Sequence, residues 1–340
     1  MKISIVTTIY KAEKDLPRLL DSMMAMESRE LEFFLIDNGS PDRCGEICAE
    51  YAKKDRRFFV RTLAENIGYI RARMLGIKEC HGEFVGFCDS DDFLEPHGYD
   101  HAVEVIDEQD CDLYITSHKV HFMGSIDVMN SPFPVGLYQH DEIEQTILPQ
   151  AFGFLRGRDR LHGYMWKQIY RKQLILDAGI SLIEELKPWE DQIFNIDVIK
   201  RCQRLYVDNV VIYNYIANSV SITANMIQDF DGQDYWRKVK LLFEEKDKRA
   251  STALQRRANA NASLFLMDLL VVGMCRSKSM SNREVKRSLS SLFGKDKAAK
   301  RILSDSCRQD LSKRLMFVQV CLKWKQYSIL VKTVRQKLSY

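Results

Sequence analysis

The alternation of short apolar runs with helical patterns limits the fold of this chain more than any other feature of its first 120 residues. The apolar runs are rich in β-branched and aromatic residues and predict strands. These predicted strands are Ile3–Thr8, Leu31–Ile36, Phe58–Leu63, Phe84–Cys88 and Leu113–Thr116. The intervals between them show helical spacing of apolar residues, at 16–24, 42–54, 68–80 and 98–109. This order predicts an α/β fold with a mostly parallel sheet covered by helices on both faces.

Polar residues directly follow three of the predicted strands. Asp37 follows the second strand, Glu65 and Asn66 follow the third, and Asp-Ser-Asp-Asp at 89–92 follows the fourth. In open α/β sheets, ligands bind beyond the carboxyl ends of the strands. The sequence therefore predicts that these residues meet at one ligand-binding edge of the sheet.

The most acidic of these clusters contains Asp89, Asp91 and Asp92 within four positions. Like charges this close raise one another's pKa unless a positive charge lies between them. Hard cations such as Mg²⁺ and Mn²⁺ prefer oxygen ligands and take few of them from protein when phosphate oxygens are present. An Asp-x-Asp pair alone is also common in solvated surface turns. The position at a strand end favours the cation site here.

Seven stretches of the chain, in order and spacing, carry a second pattern. They read ISIVTTIYKAEKDLPRLLDSM, FFLIDNGSPD, NIGYIRARMLGI, GEFVGFCDSDDFLEP, MWKQIYRKQLI, PWEDQIF and YNYIANSVSIT. Together they resemble the family 2 glycosyltransferases of bacterial polysaccharide biosynthesis, which have the Rossmann-like GT-A fold. The resemblance implies a catalytic domain over 1–222, with a nucleotide-binding half at 1–95 and an acceptor half at 96–222. Residues 223–340 lie outside the family pattern and are predicted to be helical and basic.

The resemblance also implies a site for the donor nucleotide. Its residues would be Thr8, Tyr10, Asp37, Asn38, Asn66, Arg73 and Asp89. Asn38 stands where the family usually has a second acid that reads the uracil ring. An amide oxygen can still accept a hydrogen bond from the uracil N3–H, so a uridine nucleotide is expected. Tyrosine side chains are found both buried and exposed in proteins, so Tyr10 could equally be a core aromatic.

For metal and catalysis, the resemblance implies Asp91 as the principal ligand of Mn²⁺ or Mg²⁺, with Asp89 nearer the sugar or ribose. Asp191 would be the general base and Glu190 its neighbour. An inverting transferase needs one carboxylate to take the proton of the acceptor hydroxyl. Without the resemblance, two acids at the start of a helix are explained by favourable electrostatics at that terminus.

Trp166 and Trp189 flank this region and are the candidate acceptor residues. The apolar face of a sugar stacks on an aromatic ring, so either indole could form an acceptor platform. Packing of each tryptophan in the core explains its presence equally well.

We therefore expect an inverting, metal-dependent glycosyltransferase that moves a sugar from a nucleotide-diphosphate donor to a hydroxyl of a growing glycan or lipid-linked acceptor. One alternative is a sugar-nucleotide nucleotidyltransferase, but the stretch TTIYKAEKDLP lacks the glycine-rich loop that such an enzyme needs after its first strand. The other is a non-catalytic glycan-binding or scaffold protein with a degenerate site, which the intact acids at Asp89, Asp91 and Asp191 disfavour.

Charge is unevenly distributed along the chain. Residues 271–340 contain 17 Lys and Arg against 4 Asp and Glu, and the last 30 residues contain no acid. Such a segment is attracted to anionic lipid, and packing against the catalytic domain or a partner chain is the alternative. No nucleic-acid fold signature is present, and an oligomer is left open.

The remaining patterns favour a cytoplasmic protein. No run approaches 18 apolar residues, and Lys2 leads directly into the first strand, so neither a membrane span nor a signal peptide is expected. The nine cysteines lack zinc-ligand spacing, which is typical of a reduced setting. With the basic C-terminal region, we expect a cytoplasmic location, peripheral at the inner face of the plasma membrane.

Overall fold

The computed structural model describes most of the chain as two compact units. The described residues are 2–152, 163–217, 232–252, 254–255, 281–295, 297, 318 and 320–336. The first unit comprises Met1–Leu148, His162–Glu184 and Phe194–Asn218. The second comprises Pro149–Leu161, Glu185–Ile193 and Ser219–Tyr340. The predicted domain boundary at 222 lies outside the described residues and stays a prediction.

The first unit is built on a ten-stranded sheet. Its strands are β1 (Ile3–Ile9), β2 (Leu31–Asp37), β3 (Phe58–Thr62), β4 (Phe84–Asp89), β5 (Phe93–Leu94), β6 (Leu113–Phe122), β7 (Ser125–Met129), β8 (Gly136–Gln139), β9 (Gln168–Arg171) and β10 (Arg204–Ile216). Their order is β3-β2-β1-β4-β9-β6-β10-β5, with β7 paired to β6 and β8 paired to β10. The β3-β2-β1-β4 half is entirely parallel, and β9 lies antiparallel between β4 and β6.

The helices follow the strands in the predicted alternation. The α-helices are α1 (Leu16–Met24), α2 (Cys44–Lys54), α3 (Tyr69–Glu79), α4 (Pro96–Gln109), α5 (His140–Glu142), α6 (Leu148–Phe152), α7 (Lys172–Asp177), α8 (Glu190–Ile199), α9 (Gly232–Arg249), α10 (Asn282–Lys295) and α11 (Tyr327–Gln336). A π-helical stretch, Ile143–Ile147, joins α5 to α6, and 3₁₀ turns cover Met165–Lys167 and Glu184–Leu186.

Helices cover both faces of the sheet, which confirms the predicted fold class. Gly76 of α3 packs on Val6 of β1, whereas Tyr99 of α4 packs on Gly86 of β4. Val6 and Gly86 belong to opposite faces, because Val6 pairs with Phe87, the residue after Gly86, and side chains alternate along a strand. The central strands are buried almost throughout, so the parallel half forms the core.

Residues 123–139 lie outside the strands and helices that the sequence pattern predicts. They contain β7 and β8, which are short strands at the margin of the sheet. Five- and four-residue strands with mixed polar and apolar content leave little periodic signal, so the sequence pattern missed them. The helical run from α5 to α6 follows these strands along the chain.

The described parts of the second unit beyond residue 231 are largely helical, as predicted. Lys246 of α9 is buried and donates to the Phe152 carbonyl at 3.2 Å and to Gln192 Oε1 at 2.9 Å. Helix α10 packs against α11. Within the described part of the chain, every helix is too short or too polar to cross a membrane.

The close packing of α3 on β1 generates a stability prediction. A Cβ at Gly76 would lie 2.3 Å from Val6 Cγ1 and 3.0 Å from Ile36 Cδ1, and both neighbours are buried, β-branched side chains. Gly76→Ala should lower the free energy of unfolding by about 1–3 kcal/mol through overpacking, although alanine is the better helix former. Urea unfolding followed by circular dichroism measures the change.

Gly294 of α10 provides the matched control. A Cβ there would meet no atom within 4 Å. Gly294→Ala should therefore raise or leave unchanged the stability of its helix, by up to about 1 kcal/mol. Equal effects of the two substitutions would contradict the packing argument.

Candidate active site

The acidic turn at 89–92 lies where β4 ends, at the predicted edge of the sheet. Asp92, the last acid of the turn, is buried. Its Oδ2 accepts a hydrogen bond from the Tyr213 hydroxyl at 2.6 Å, and its Oδ1 accepts one from the Ile216 N–H at 2.7 Å. Both partners belong to β10. Through these contacts Asp92 ties the turn to β10.

Burial changes the acidity of this carboxyl group. Burial first, and then the charge of Asp89, raises the pKa of Asp92 from 3.8 to about 8. Two hydrogen bonds, from Ile216 and Tyr213, oppose the shift. Asp92 therefore loses its proton at a higher pH than a solvent-exposed aspartate does.

Arg73 is paired with Asp89. Its Nη2 donates to Asp89 Oδ1 at 2.8 Å, and its guanidinium lies 5.6 Å from the ring centroids of Tyr69 and Phe87. Arg73 is buried, and Asp89 is about half-exposed. The guanidinium therefore neutralises and orients Asp89. Its predicted contact with a donor nucleotide stays a prediction.

Arg18 holds the turn from α1, and the sequence patterns did not identify it. Its Nη2 donates to the Asp91 carbonyl oxygen at 2.6 Å, and its guanidinium lies 5.7 Å from the ring centroid of Phe93. One arginine thus fixes the Asp91 backbone while another, Arg73, fixes Asp89. No spacing rule marks Arg18, because its neighbour in space is 73 positions away in sequence.

A second part of the edge is formed by the turns after β2 and β3. Asn38 Nδ2 donates to Asn66 Oδ1 at 3.1 Å, and Asn38 Oδ1 accepts from the Ile67 N–H at 3.0 Å. Asp37 accepts from the Ser40 N–H at 3.0 Å. Asn38 is buried and bridges the two turns, so a structural role explains the asparagine at this position. Its contact with a uracil ring stays a prediction.

Gly39 allows the turn after β2 to pack closely against the turn after β3. Its φ is +65°, and a Cβ there would lie 2.5 Å from the Glu65 carbonyl carbon. Glycine is the residue that tolerates both the left-handed backbone and this contact.

The strand register brings further predicted residues to the same edge. Thr8 pairs with Asp89 and Ile9 pairs with Asp37, so the ends of three strands are level. Tyr10 follows β1 and is exposed, with Lys11 Nζ 5.3 Å from its ring centroid. The interpretation of Tyr10 as a core aromatic is therefore wrong, and its ring is accessible to a ligand.

Trp166 is not an open acceptor platform. It is only 6% exposed and lies in a stack with Tyr213 at 4.2 Å, Tyr164 at 4.8 Å and Tyr215 at 6.0 Å between ring centroids. The exposed member of the stack is Tyr164, at 42%. Core packing thus explains Trp166, and the stack links the acidic turn, through Tyr213, to an accessible ring.

The remaining predicted residues belong to the second unit. Glu190 and Asp191 open α8, and the Trp189 N–H donates to the Leu186 carbonyl at 2.7 Å just before it. Glu190 is buried, whereas Trp189 and Asp191 are partly exposed. The structure thus places both acids in the first turn of a helix, where negative charge is favourable. Their catalytic roles stay predictions.

The donor chemistry of the turn fits a hard divalent cation. Asp89 is the last residue of β4 and Asp91 lies two positions after it, so two carboxylates occur at this strand end. Among the residues that the structure describes, no group of three or more His, Cys, Asp or Glu side chains could hold a metal ion. Two carboxylates suit a cation that takes its other ligands from a bound diphosphate and water.

Comparison with known proteins identifies related sequences. Residues 4–166 match the family model described as glycosyl transferase family 2. The chain is 26% identical over 235 residues to an uncharacterized glycosyltransferase, EpsJ, of Bacillus subtilis, covering 65% of this chain and 62% of the relative. It is 27% identical over 217 residues to the poly(ribitol-phosphate) β-N-acetylglucosaminyltransferase TarS of Staphylococcus aureus, covering 63% of this chain and 35% of TarS. The chain thus spans less than two thirds of either relative.

Solved structures share the fold. TarS 1–349 in complex with UDP-GlcNAc superposes with a TM-score of 0.70 at 19% identity, covering 100% of this chain and 92% of that one. A mannosyltransferase from Pyrobaculum calidifontis, in complex with GDP-Man and Mn²⁺, gives 0.53 at 12% identity, covering 98% and 86%. At these identities the likeness establishes the fold.

The raised pKa of Asp92 generates a prediction about stability. The folded state holds this proton more tightly than the unfolded chain, so the stabilisation is complete below the unfolded pKa of 3.8 and is lost as the pH rises through about 8. In wild type, the unfolding free energy should therefore decrease with rising pH by at most about 1.4 kcal/mol per pH unit from this group. Asp92→Asn should make this decrease smaller. Unfolding free energies between pH 4 and 9, measured with EDTA, provide the test.

Tyr213→Phe should act in the opposite direction. It keeps the stacked ring but removes a hydrogen bond that lowers the pKa of Asp92. The decrease of the unfolding free energy with pH should therefore extend to higher pH. Identical pH profiles for the wild type and Asp92→Asn would refute the assignment.

Proposed function

We propose that this chain, a family 2 glycosyltransferase by the match over residues 4–166, transfers a sugar with inversion from a UDP-linked donor. The acceptor would be a hydroxyl of a growing glycan or of a lipid-linked glycan in bacterial surface polysaccharide synthesis, such as capsule. The observation that carries the proposal is the shared edge at which Ile9, Asp37 and Asp89 end three neighbouring strands, with Thr8 paired to Asp89.

The uridine part of the proposal rests on two observations. The structural neighbour TarS 1–349 was solved with UDP-GlcNAc, and it superposes on this chain with a TM-score of 0.70. The exposed Tyr10 ring and the buried Asp37 carboxylate flank the end of β1, where a base and ribose would lie. We assign the nucleotide site to these residues with Thr8, Asn38 and Asn66.

The metal part of the proposal assigns Asp91 and Asp89 as ligands of Mn²⁺ or Mg²⁺. When bound, such a cation would neutralise the charge of the departing diphosphate. The Pyrobaculum mannosyltransferase, solved with Mn²⁺, supports this choice of metal. The contribution of the chain itself is rigidity: Arg73 and Tyr213 hold Asp89, and Arg18 holds the Asp91 backbone.

In the proposed reaction, Asp191 takes the proton of the acceptor hydroxyl. The hydroxyl oxygen then forms a bond to the anomeric carbon as the bond from that carbon to the diphosphate oxygen breaks on the opposite side. The electron pair of the broken bond leaves with the diphosphate, and the configuration inverts. Glu190 is assigned as the neighbouring carboxylate of Asp191, and Trp189 as an acceptor contact.

We also propose that the basic C-terminal region contacts anionic lipid and holds the enzyme at the inner face of the plasma membrane. Within this region, Trp324 is 73% exposed between two exposed lysines, Lys323 and Lys325. An exposed indole flanked by cations suits the interface of an anionic bilayer.

Asp91→Ala tests the metal assignment. The variant should lose Mn²⁺-dependent affinity for UDP, because the side chain proposed as the principal protein ligand of the cation would be absent. Isothermal titration with UDP, with and without Mn²⁺, measures this affinity. Asp177→Ala, at an exposed aspartate of α7, should bind UDP like the wild type. Unchanged Mn²⁺-dependent binding by Asp91→Ala would exclude Asp91 as the ligand.

Asp191→Asn tests the general base. The variant should bind UDP with Mn²⁺ normally but lose glycosyl transfer by about 100-fold or more, the usual contribution of a general base. Turnover of a UDP-sugar panel, followed by UDP release, reports the loss. Asp197→Asn removes an aspartate of the same helix that pairs with Arg201 and should retain activity. Near-native turnover by Asp191→Asn would show that another group takes the proton.

A further inference from the structure

A hairpin of the first unit exposes apolar side chains that the proposed reaction does not use. We define the apolar hairpin as residues 118–129, the end of β6 paired with β7. Met123 and Gly124 form its two-residue turn, with φ angles of +47° and +86°. Positive φ at both turn residues is the geometry that matches the twist of paired strands, so the hairpin is a regular element.

The exposed apolar residues are concentrated at the tip and along β7. Met123 is 91% exposed, and four further residues are between 39% and 59% exposed. These four are Phe122, Ile126, Val128 and Met129. Single exposed apolar residues are ordinary, but a contiguous group marks an interaction site.

The apolar hairpin projects from the edge of the sheet that carries the acidic turn. Strand β6 is antiparallel to β9, which is antiparallel to β4, so β6 and β4 end at the same edge. Direct contacts confirm this position. Lys119 Nζ lies 2.8 Å from Glu95 Oε2, and the His121 ring lies 5.4 Å from that of Phe93, immediately after the turn.

The distribution of the apolar residues argues against a folded protein partner. Ile126 and Val128 pair with His121 and Lys119 on one face of the hairpin, whereas Phe122 and Met129 lie on the other. Two exposed residues lie on each face, so each face offers roughly 200 Å² of exposed apolar surface, taking about 150–250 Å² for a large side chain. A stable interface buries about 800 Å² on each partner, of which roughly 450 Å² is apolar, and one flat partner could not cover both faces.

A lipid bilayer can cover apolar residues on both faces of the hairpin, because it surrounds an inserted tip on all sides. It also requires no minimum area of complementary surface. Residues 122–126, Phe-Met-Gly-Ser-Ile, carry no charge and so suit the acyl-chain boundary. The outer edge of β7 carries backbone groups without strand partners among the described residues, which limits insertion to the tip.

We propose that the apolar hairpin inserts its tip into the surface of a lipid bilayer and so holds the acidic edge of the sheet close to the membrane. The insertion follows from the exposed residues alone. Its use, to bring the site to a lipid-linked acceptor, rests on the proposed function. The hairpin differs from the basic C-terminal region in its lipid requirement, since uncharged side chains do not need anionic headgroups.

Co-sedimentation with phosphatidylcholine vesicles at high salt tests the insertion, because these conditions suppress binding through basic residues. The full chain should sediment with vesicles at millimolar lipid. Met123→Asp and the double variant Phe122→Ser/Ile126→Ser should each lower the partition coefficient about 10-fold or more, given the apolar area lost. Leu176→Ser removes an exposed leucine of α7, which follows β9 at the opposite edge, and should bind like the wild type.

The outcomes separate the insertion from the proposed function. All hairpin variants should keep wild-type far-UV circular dichroism and Mn²⁺-dependent UDP affinity, because the substituted side chains are exposed and lie outside the assigned site. Equal sedimentation of the wild type and Met123→Asp, or no sedimentation of the wild type, would overturn the insertion. Loss of a dimer in the hairpin variants, measured by light scattering without lipid, would assign the hairpin to a second copy instead and would likewise overturn it.

Discussion

The hydroxyl group of Tyr213 is the contact on which the acidic edge depends. It donates to Asp92 and accepts from the Asp89 N–H at 3.2 Å, so one side chain of β10 holds both ends of the turn that follows β4. The same ring stacks on Trp166. The backbone of the turn is therefore coupled to the centre of an aromatic stack, and its carboxylates need not be ordered by a ligand first.

This arrangement also reduces the repulsion within the acidic turn. Three ionised carboxylates in four positions would repel strongly. Burial raises the pKa of Asp92, and the Arg73 guanidinium offsets the charge of Asp89. Both effects lower the repulsion that the proposed cation site would otherwise have to overcome. Arg18 restrains the Asp91 backbone by a contact that involves no titratable group of the turn.

The same edge of the sheet carries two surfaces of different chemistry. The acidic turn is polar and held by buried partners, whereas the apolar hairpin exposes apolar side chains at its tip and along β7. The Lys119–Glu95 pair connects them, since Glu95 follows the turn and Lys119 lies at the root of the hairpin. If both proposals hold, the reaction site lies beside the lipid-directed surface, as transfer to an acceptor anchored in a bilayer would require.

The sequence by itself determined the alternating architecture, the strand ends and the acids that follow them, because strand and helix periodicity and turn chemistry are local properties. Only the tertiary structure decided what those acids contact. Tyr213 is 124 residues from Asp89, and Arg18 is 73 residues from Asp91, distances at which no local pattern carries information. The tertiary structure also decided which aromatic side chains are buried. Trp166 is buried and Tyr10 is exposed, although residue type alone allows either position for both. The hairpin was missed for a related reason, since short marginal strands form by pairing with a neighbour that the sequence does not reveal.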